Sequence, residues 1–515
     1  MYLYDEVGYL AGANVLSGNG DAWTLCGSSY SVGYSAVLAP LWWLPVSPLT
    51  TYQIAAYMSA ALGAAVMWPA TALARRFGVT GFASLAIGAL VTLVPARALM
   101  DNYVIAENPL TLLIVIAAVL AWRIAERNMA RDYWLFGAVL GLAAVVHARA
   151  IPLVGVAMAW LAVRWLVRKT SAPVALGSAA LAGALALVGL WGQREMGARV
   201  FAADDRVSDL VGSVTPAGWG EVVLGQGFSQ VVSWSLFTAL GLLACLARAR
   251  HTFRSRGHRA LANPWWWLGA GVIAQALFFV YVLAASADLH TRLDIPVFGR
   301  YLDPFVVPLA VLGAATLWRR RRSHMVTVAM VVSTVTVVAY AIVVLPRVPA
   351  DATWIPFAVP GLWTFLDPLS GDDTPALTVA AVVAIAGCLS LWLLARWPRV
   401  WLTCALVIAT GVTLWADAAR VDPFEASVRA PSTIVDIAQA NPDRRILIIA
   451  DLLPCAERNK LQFELADRAL LSDGSEARAG DYVLGPTAWP DAENKGWIPL
   501  PLSMWQEARI WVVQP

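Results

Sequence analysis

Apolar residues in this chain run together for the length of a membrane crossing, and polar residues gather in the gaps between runs. A crossing helix needs about 20 predominantly apolar residues, within a range of roughly 17–25. Runs of this kind lie near 53–73, 79–96, 108–123, 133–147, 151–166, 172–191, 232–249, 264–284, 304–318, 324–346, 376–396 and 399–416, about twelve in all. The gaps alternate in character. Arg75 and Arg76, the group Arg123, Arg127 and Arg131, the group Arg164, Arg168 and Lys169, the stretch Arg248 to Arg259, Arg319 to Arg322, and the pair Arg396 and Arg399 make every second gap basic. Lys and Arg mark cytoplasmic loops. These gaps are therefore expected inside, and 1–52, 97–107, 147–150, 192–231, 285–303, 347–375 and 417–515 outside.

Two regions depart from the pattern. Residues 30–48 are amphipathic, but Pro40, Pro45 and Pro48 interrupt them too often for a clean crossing. They read as a helix or re-entrant segment on the outer surface. From about 417 the apolar runs shorten. Arg445 to Asp451, Tyr482 to Leu484 and Ile510 to Val513 read as strands, with helix near 431–440 and 456–470. The expected fold is an all-α polytopic membrane protein with a small C-terminal extracytoplasmic α/β domain, divided as 1–416 and 417–515.

Composition removes the alternatives. The 515 residues are 59% hydrophobic and 14% charged, with a mean hydropathy of +0.64. A soluble domain is nearer 45–50% apolar and about 25% charged. The net charge of +3 gives no reason to expect nucleic acid as a partner. Several of the 25 Trp residues stand where runs meet water, as at Trp42, Trp43 and Trp265 to Trp267, in the manner of an interfacial belt. No two of the five cysteines form a CxxC or metal-ligand spacing. Cys26 and Cys455 fall on the same expected side, which allows a disulfide that nothing in their spacing requires.

The chemistry sits at the outer ends of the runs. Asp5 and Glu6 precede the first run, and an adjacent acid pair is ordinarily a solvated turn. Asp101 and Glu107 lie in the next outer gap. Asp101 reads as a turn residue, and Glu107, ahead of Asn108 and Pro109, suits a helix opening. His147 and Arg149 stand at another outer boundary, and Arg292, Arg300 and Tyr301 at a third. Arg149, Arg292 and Arg300 break the bias that keeps base inside. Arginine grips phosphate through its bidentate fork. Carboxylates such as Glu6 and Glu107 would hold a hard divalent cation, Mg²⁺ or Mn²⁺, and no other cofactor is expected. The inventory suits a phosphate carried on a lipid tail. No Ser-His-Asp spacing, HExxH or P-loop is present.

Tyr4-Asp5-Glu6-Val7-Gly8-Tyr9-Leu10, an acid in the next outer gap, and Gly299-Arg300-Tyr301-Leu302 before Pro304 together resemble the GT-C class of integral-membrane glycosyltransferases. That class includes the protein O-mannosyltransferases and the lipid A aminoarabinose transferases. The resemblance covers roughly 1–416. It implies transfer of a sugar from a polyprenyl-phosphate donor to a glycan, lipid or protein acceptor at the outer face of the plasma membrane, with inversion. It gives Asp5 the role of base, Glu6 and Glu107 that of metal or acceptor support, and Arg149 and Arg300 that of phosphate binding. Asp101, His147, Arg292 and Tyr301 complete the expected substrate contacts. The family's first motif follows a crossing helix, so such a helix is expected upstream of Met1. The competing expectation is a transporter or flippase of a lipid-linked saccharide. The one-sided placement of the charges and the lack of an internal repeat weigh against it.

Overall fold

The computed structural model describes residues 4–19, 25–26, 30–200, 216–285, 293–320, 323–348, 354–367, 373–423, 433–449, 452–453, 455–465, 469–500 and 508–514. In chain order the helices are α1 (Tyr4–Leu16), α2 (Val32–Leu38), α3 (Pro48–Ala65), α4 (Met67–Arg76), α5 (Phe82–Leu93), α6 (Pro95–Ala98), α7 (Glu107–Arg127), α8 (Ala130–Val146), α9 (Ile151–Leu166) and α10 (Ala172–Val200). There follow α11 (Pro216–Trp234), α12 (Phe237–Arg256), α13 (Pro264–Ala285), α14 (Asp303–Arg320), α15 (His324–Val343), α16 (Thr374–Leu394), α17 (Pro398–Ala416), α18 (Thr433–Ala440) and α19 (Cys455–Leu465). Each of the expected apolar runs is helical.

Among the described residues, eight helices are long and apolar enough to cross a membrane, or ten if each of two bent pairs counts as one crossing. Two further runs are helical but fall short. Helix α8 has 17 residues, and α14 carries Asp303, Arg319 and Arg320 within 18. One bent pair was not expected. Residues 192–231 read as an outer segment, yet α10 continues to Val200 and α11 fills Pro216–Trp234. Helix α11 meets α12 at 106°, across Ser235 at φ 52°. Its glycines, glutamines and serines gave no apolar run, because the face it buries is polar.

The chain folds as two compact units: one from residues 1–56, 191–205 and 425–515, the other from 57–190 and 206–424. This differs from the division expected at 416/417. The tail packs with the N-terminal segment through a Cys26–Cys455 disulfide with Cα atoms 5.8 Å apart. Asn459 fastens the same point, with its Nδ2 donating to the Cys26 carbonyl at 3.0 Å and its Oδ1 accepting from the Cys26 N–H at 3.1 Å. Trp42 stands edge-on to Phe463 at 6.2 Å.

The first unit contains a five-stranded sheet, β1 (Ile446–Ile449), β2 (Ala469–Ser472), β3 (Tyr482–Pro486), β4 (Ile498–Pro499) and β5 (Ala508–Val512), in the order β2-β1-β3-β5-β4. Strands β2, β1 and β3 are parallel, and β5 runs antiparallel to β3 and β4. Side chains alternate across a strand. Ile446, Ile448 and Leu484 therefore pack with Ile434 and Leu461, while Leu447, Ile449 and Val483 pack with Trp489, Trp497 and Trp511 on the other face. Burial on both faces explains why β1 reads as a continuous apolar run. The helix expected to reach 470 ends at Leu465, and Ala469–Ser472 is a strand paired with β1.

In the second unit α12 and α14 pack closely. A Cβ on Gly241 would overlap the Leu309 carbonyl, and one on Gly313 would overlap that of Phe237. Small residues at a crossing let the backbones meet. Helices α7 and α8, α4 and α5, α9 and α13, and α11 and α15 form further neighbouring pairs. This framework sets the openings of α7 and α14 and the link between α8 and α9, where the site residues stand.

Candidate active site

Glu107 begins α7, as its Asn-Pro context predicts, and is buried. Arg149 lies in a 3₁₀ turn, Ala148–Ala150, capped by His147, whose Nδ1 accepts from the Arg149 N–H at 3.4 Å. Arg300 lies in a second such turn, Gly299–Tyr301, just ahead of α14. The three segments converge on one atom. Glu107 Oε1 accepts from Arg300 Nε at 2.6 Å and from Arg149 Nη1 at 3.0 Å. The Glu107 and Arg300 side chains are 1% and 3% exposed and that of Arg149 19%. The Arg149 guanidinium lies over the Tyr301 ring, 3.5 Å from its centroid. Tyr301 packs on Phe298 at 4.1 Å and on Phe279 at 5.5 Å. Gln275 fixes the Arg149 backbone, donating to its carbonyl at 2.6 Å.

Two guanidinium groups meet one carboxylate oxygen in this cluster. A cluster so arranged favours an incoming anion with several oxygens, and arginine forks match phosphate in geometry.

Two further buried groups lie in the same unit. Arg97, 2% exposed, donates from Nη2 to Asn108 Oδ1 at 2.9 Å and stands 3.8 Å from Asp101. Asn108 donates to Ser59 Oγ at 2.9 Å, and Ser59 donates to the Tyr103 carbonyl at 2.6 Å. Asp101 lies within the 3₁₀ turn Leu99–Asn102 and packs against Gly63, so its place is in the turn, as its sequence context predicts. Asp303, 2% exposed, accepts from Gln230 Nε2 at 3.0 Å and Trp234 Nε1 at 2.9 Å. Both donors come from the unexpected helix α11. Arg97, Asn108, Gln230, Trp234 and Asp303 were not singled out from sequence. Arg97 had a usable signal, since it lies in an outer gap and breaks the positive-inside bias as Arg149 and Arg300 do.

Asp5 and Glu6 belong to the first unit, in the opening turn of α1. Glu6 is fully buried, and its Oε1 accepts from Tyr52 Oη at 3.0 Å. Asp5 is half-buried, and its Oδ1 accepts from Tyr30 Oη at 2.8 Å. Gly8 makes that bond feasible, because a Cβ there would overlap the Tyr30 ring. Tyr9 flanks the contact, 5.1 Å from Tyr30 and 5.3 Å from Tyr34. Arg292 lies outside the described residues.

Among the described residues no three His, Cys, Asp or Glu side chains stand close enough to share a metal ion. Glu107, expected as a ligand, is engaged by two guanidinium groups whose charge would repel one.

A helical unit with charged turns at the helix openings and a small α/β unit make up a fold that this chain shares with solved structures. The particular likeness is to ArnT from Cupriavidus metallidurans. The crystal structure of that protein bound to undecaprenyl phosphate matches at a TM-score of 0.57 and 14% identity, over 98% of this chain and 93% of that one. Its apo structure matches at 0.52 and 13%, over 99% and 92%. No known family profile and no curated protein sequence matches the chain.

Proposed function

We propose that the protein is a membrane glycosyltransferase that moves a sugar from a polyprenyl-phosphate donor to an acceptor at the extracytoplasmic face. The observation that carries this reading is the buried cluster in which Arg149 and Arg300 share one oxygen of Glu107. The fold shared with a protein solved with undecaprenyl phosphate supports it. The orientation follows the basic loops, with twelve crossings, the acid-bearing turns outside and the α/β unit extracytoplasmic. The Cys26–Cys455 disulfide agrees, because such bonds persist on the oxidising side of a membrane.

In the proposed reaction an acceptor oxygen or nitrogen attacks the anomeric carbon from the face opposite the phosphate. The bond from that carbon to the phosphate oxygen breaks, its electron pair leaves with the polyprenyl phosphate, and the configuration inverts. Asp5 takes the acceptor proton, a role given by the resemblance of its segment to the family motif. Arg300 and Arg149 stabilise the charge growing on the phosphate. Glu107 holds both guanidinium groups in place and is a positioning residue in this scheme. Asp101 and His147 act likewise, Asp101 on Arg97 and His147 on the Arg149 backbone.

Purified protein in lipid nanodiscs, given a synthetic polyprenyl-phosphate sugar and a panel of acceptors, should form glycosylated acceptor. Asp5→Asn should lower the rate by about 10²–10⁴-fold without loss of fold. Movement of the intact donor across a bilayer without transfer would instead support transport. An unchanged rate in Asp5→Asn would remove Asp5 from the mechanism.

A further inference from the structure

A second cluster of cations lies away from the Glu107 site, at the end of the helices that carries the basic loops. Arg76 at the end of α4, Arg248 and His251 on α12, and Arg319 on α14 line one cavity of about 450 Å³. That volume is in the range of small-ligand sites, roughly 300–1,000 Å³. Among the described residues no carboxylate lines it. Its wall is rigid. Phe77 stacks on Trp265 at 5.7 Å, and Trp122 meets Trp265 edge-on at 4.8 Å. Apolar side chains, Leu312 and Ala315 among them, form the rest.

Helix C-termini attract cations, which accounts for part of this. Arg319 Nη1 donates to the Phe77 carbonyl at 2.9 Å, and Arg76 Nη1 donates to that of Ala72 at 3.2 Å. Each of these bonds uses one of five guanidinium donors. Arg76 Nε is buried without a hydrogen bond, 3.7 Å from a half-exposed Glu126. Cations from three helices thus converge on one concave space. Cations beside apolar wall are what an amphiphilic anion requires, and basic pockets between membrane helices recognise acidic lipid head groups in this way.

We propose that this cavity binds a phosphate-bearing anion, with the acidic head group of a membrane lipid or free phosphate as the two sources of that chemistry. The site is independent of the transfer reaction. The test uses the full-length protein in detergent. Native mass spectrometry would follow retention of phosphatidylglycerol against phosphatidylcholine, and thermal unfolding would follow millimolar inorganic phosphate. Thr316→Glu places a carboxylate in the cavity without removing a cation, and Arg248→Gln, at an exposed position, removes one cation.

Wild-type protein should retain phosphatidylglycerol over phosphatidylcholine about tenfold, and both variants should lose that preference, as expected when a charge-assisted contact is lost. Stabilisation by inorganic phosphate without a lipid preference, abolished in the variants, would support the site with free phosphate as its ligand. Equal retention of both lipids with no response to phosphate would overturn the proposal. Preference undiminished in Arg248→Gln, and in Thr316→Glu where that variant folds, would overturn it as well.

Discussion

Replacing Glu107 with Gln separates a positioning role from a reacting one. Glu107 accepts two charge-assisted hydrogen bonds, at 2.6 and 3.0 Å, and is 1% exposed. The amide keeps the shape but loses the charge, so Arg149 and Arg300 face each other with no anion between them. Hydrogen bonds to charged groups contribute about 1.5–3 kcal/mol each. Breaking a buried ion pair by removing one partner costs about 3–5 kcal/mol. Both routes place the loss near 3–5 kcal/mol for the unit, which lowers the unfolding temperature by roughly 5 °C or more. Displacing the guanidinium groups by about 1 Å costs on the order of 10²-fold in rate. The assay pairs thermal unfolding in detergent with steady-state transfer at varied donor concentration. Glu107→Gln should lower the unfolding temperature and weaken the dependence on donor, and Arg149→Met should do so to a smaller degree. An unchanged unfolding temperature with a rate loss confined to kcat would refute positioning and make Glu107 a reacting group.

Three other outcomes follow from the geometry. Gly8→Ala forces the Tyr30 ring away from Asp5 and should cost about 1–3 kcal/mol by overpacking, read as a lower unfolding temperature and slower transfer; full activity would show the Tyr30 contact to be dispensable. Without reductant, Cys26 and Cys455 should resist alkylation in denaturant and react once reduced, and the Cys26→Ser/Cys455→Ser pair should destabilise the first unit by about 2–4 kcal/mol. Labelling of both cysteines in unreduced protein would exclude the bond. Around Asp481, burial pushes the carboxyl up, but Arg445, 2.6 Å away, and the Arg478 N–H outweigh it and hold it below its ordinary 3.8. A depressed folded value gives stability that is present above the ordinary value and lost as pH falls through the lower one. Amide protection in β1 and β3 should therefore weaken as pH falls below 3.8, and Asp481→Asn should abolish that dependence.

The apolar runs were legible because a crossing helix must satisfy its backbone internally and present lipid-compatible side chains over its whole length. Helix α11 was not, because Gln226, Ser229, Gln230 and Ser233 bury a polar stripe that reads as loop. Glu107, Arg149, Arg300 and Tyr301 stood out as charges and a ring at run ends, and the fold brings them together. Asp303 and Asn108 did not, since each also resembles an ordinary helix-opening residue and only its burial distinguishes it. The union of the N-terminal segment with the tail was legible only as an allowed Cys26–Cys455 pairing that nothing in the spacing required. A contact across 429 residues leaves no local trace.

That union sets an order of events during synthesis. The segment that carries Cys26 finds part of its partners in residues beyond 425, such as Cys455 and Asn459. At about 5–20 residues per second, the intervening chain takes the ribosome roughly 20–70 s to make. Through that interval the helices around Glu107 can assemble, and Asp5 and Glu6 can meet Tyr30 and Tyr52, before the tail exists. A chain halted before the tail would lack the Cys26–Cys455 link, so that covalent bond marks the moment at which the first unit is closed.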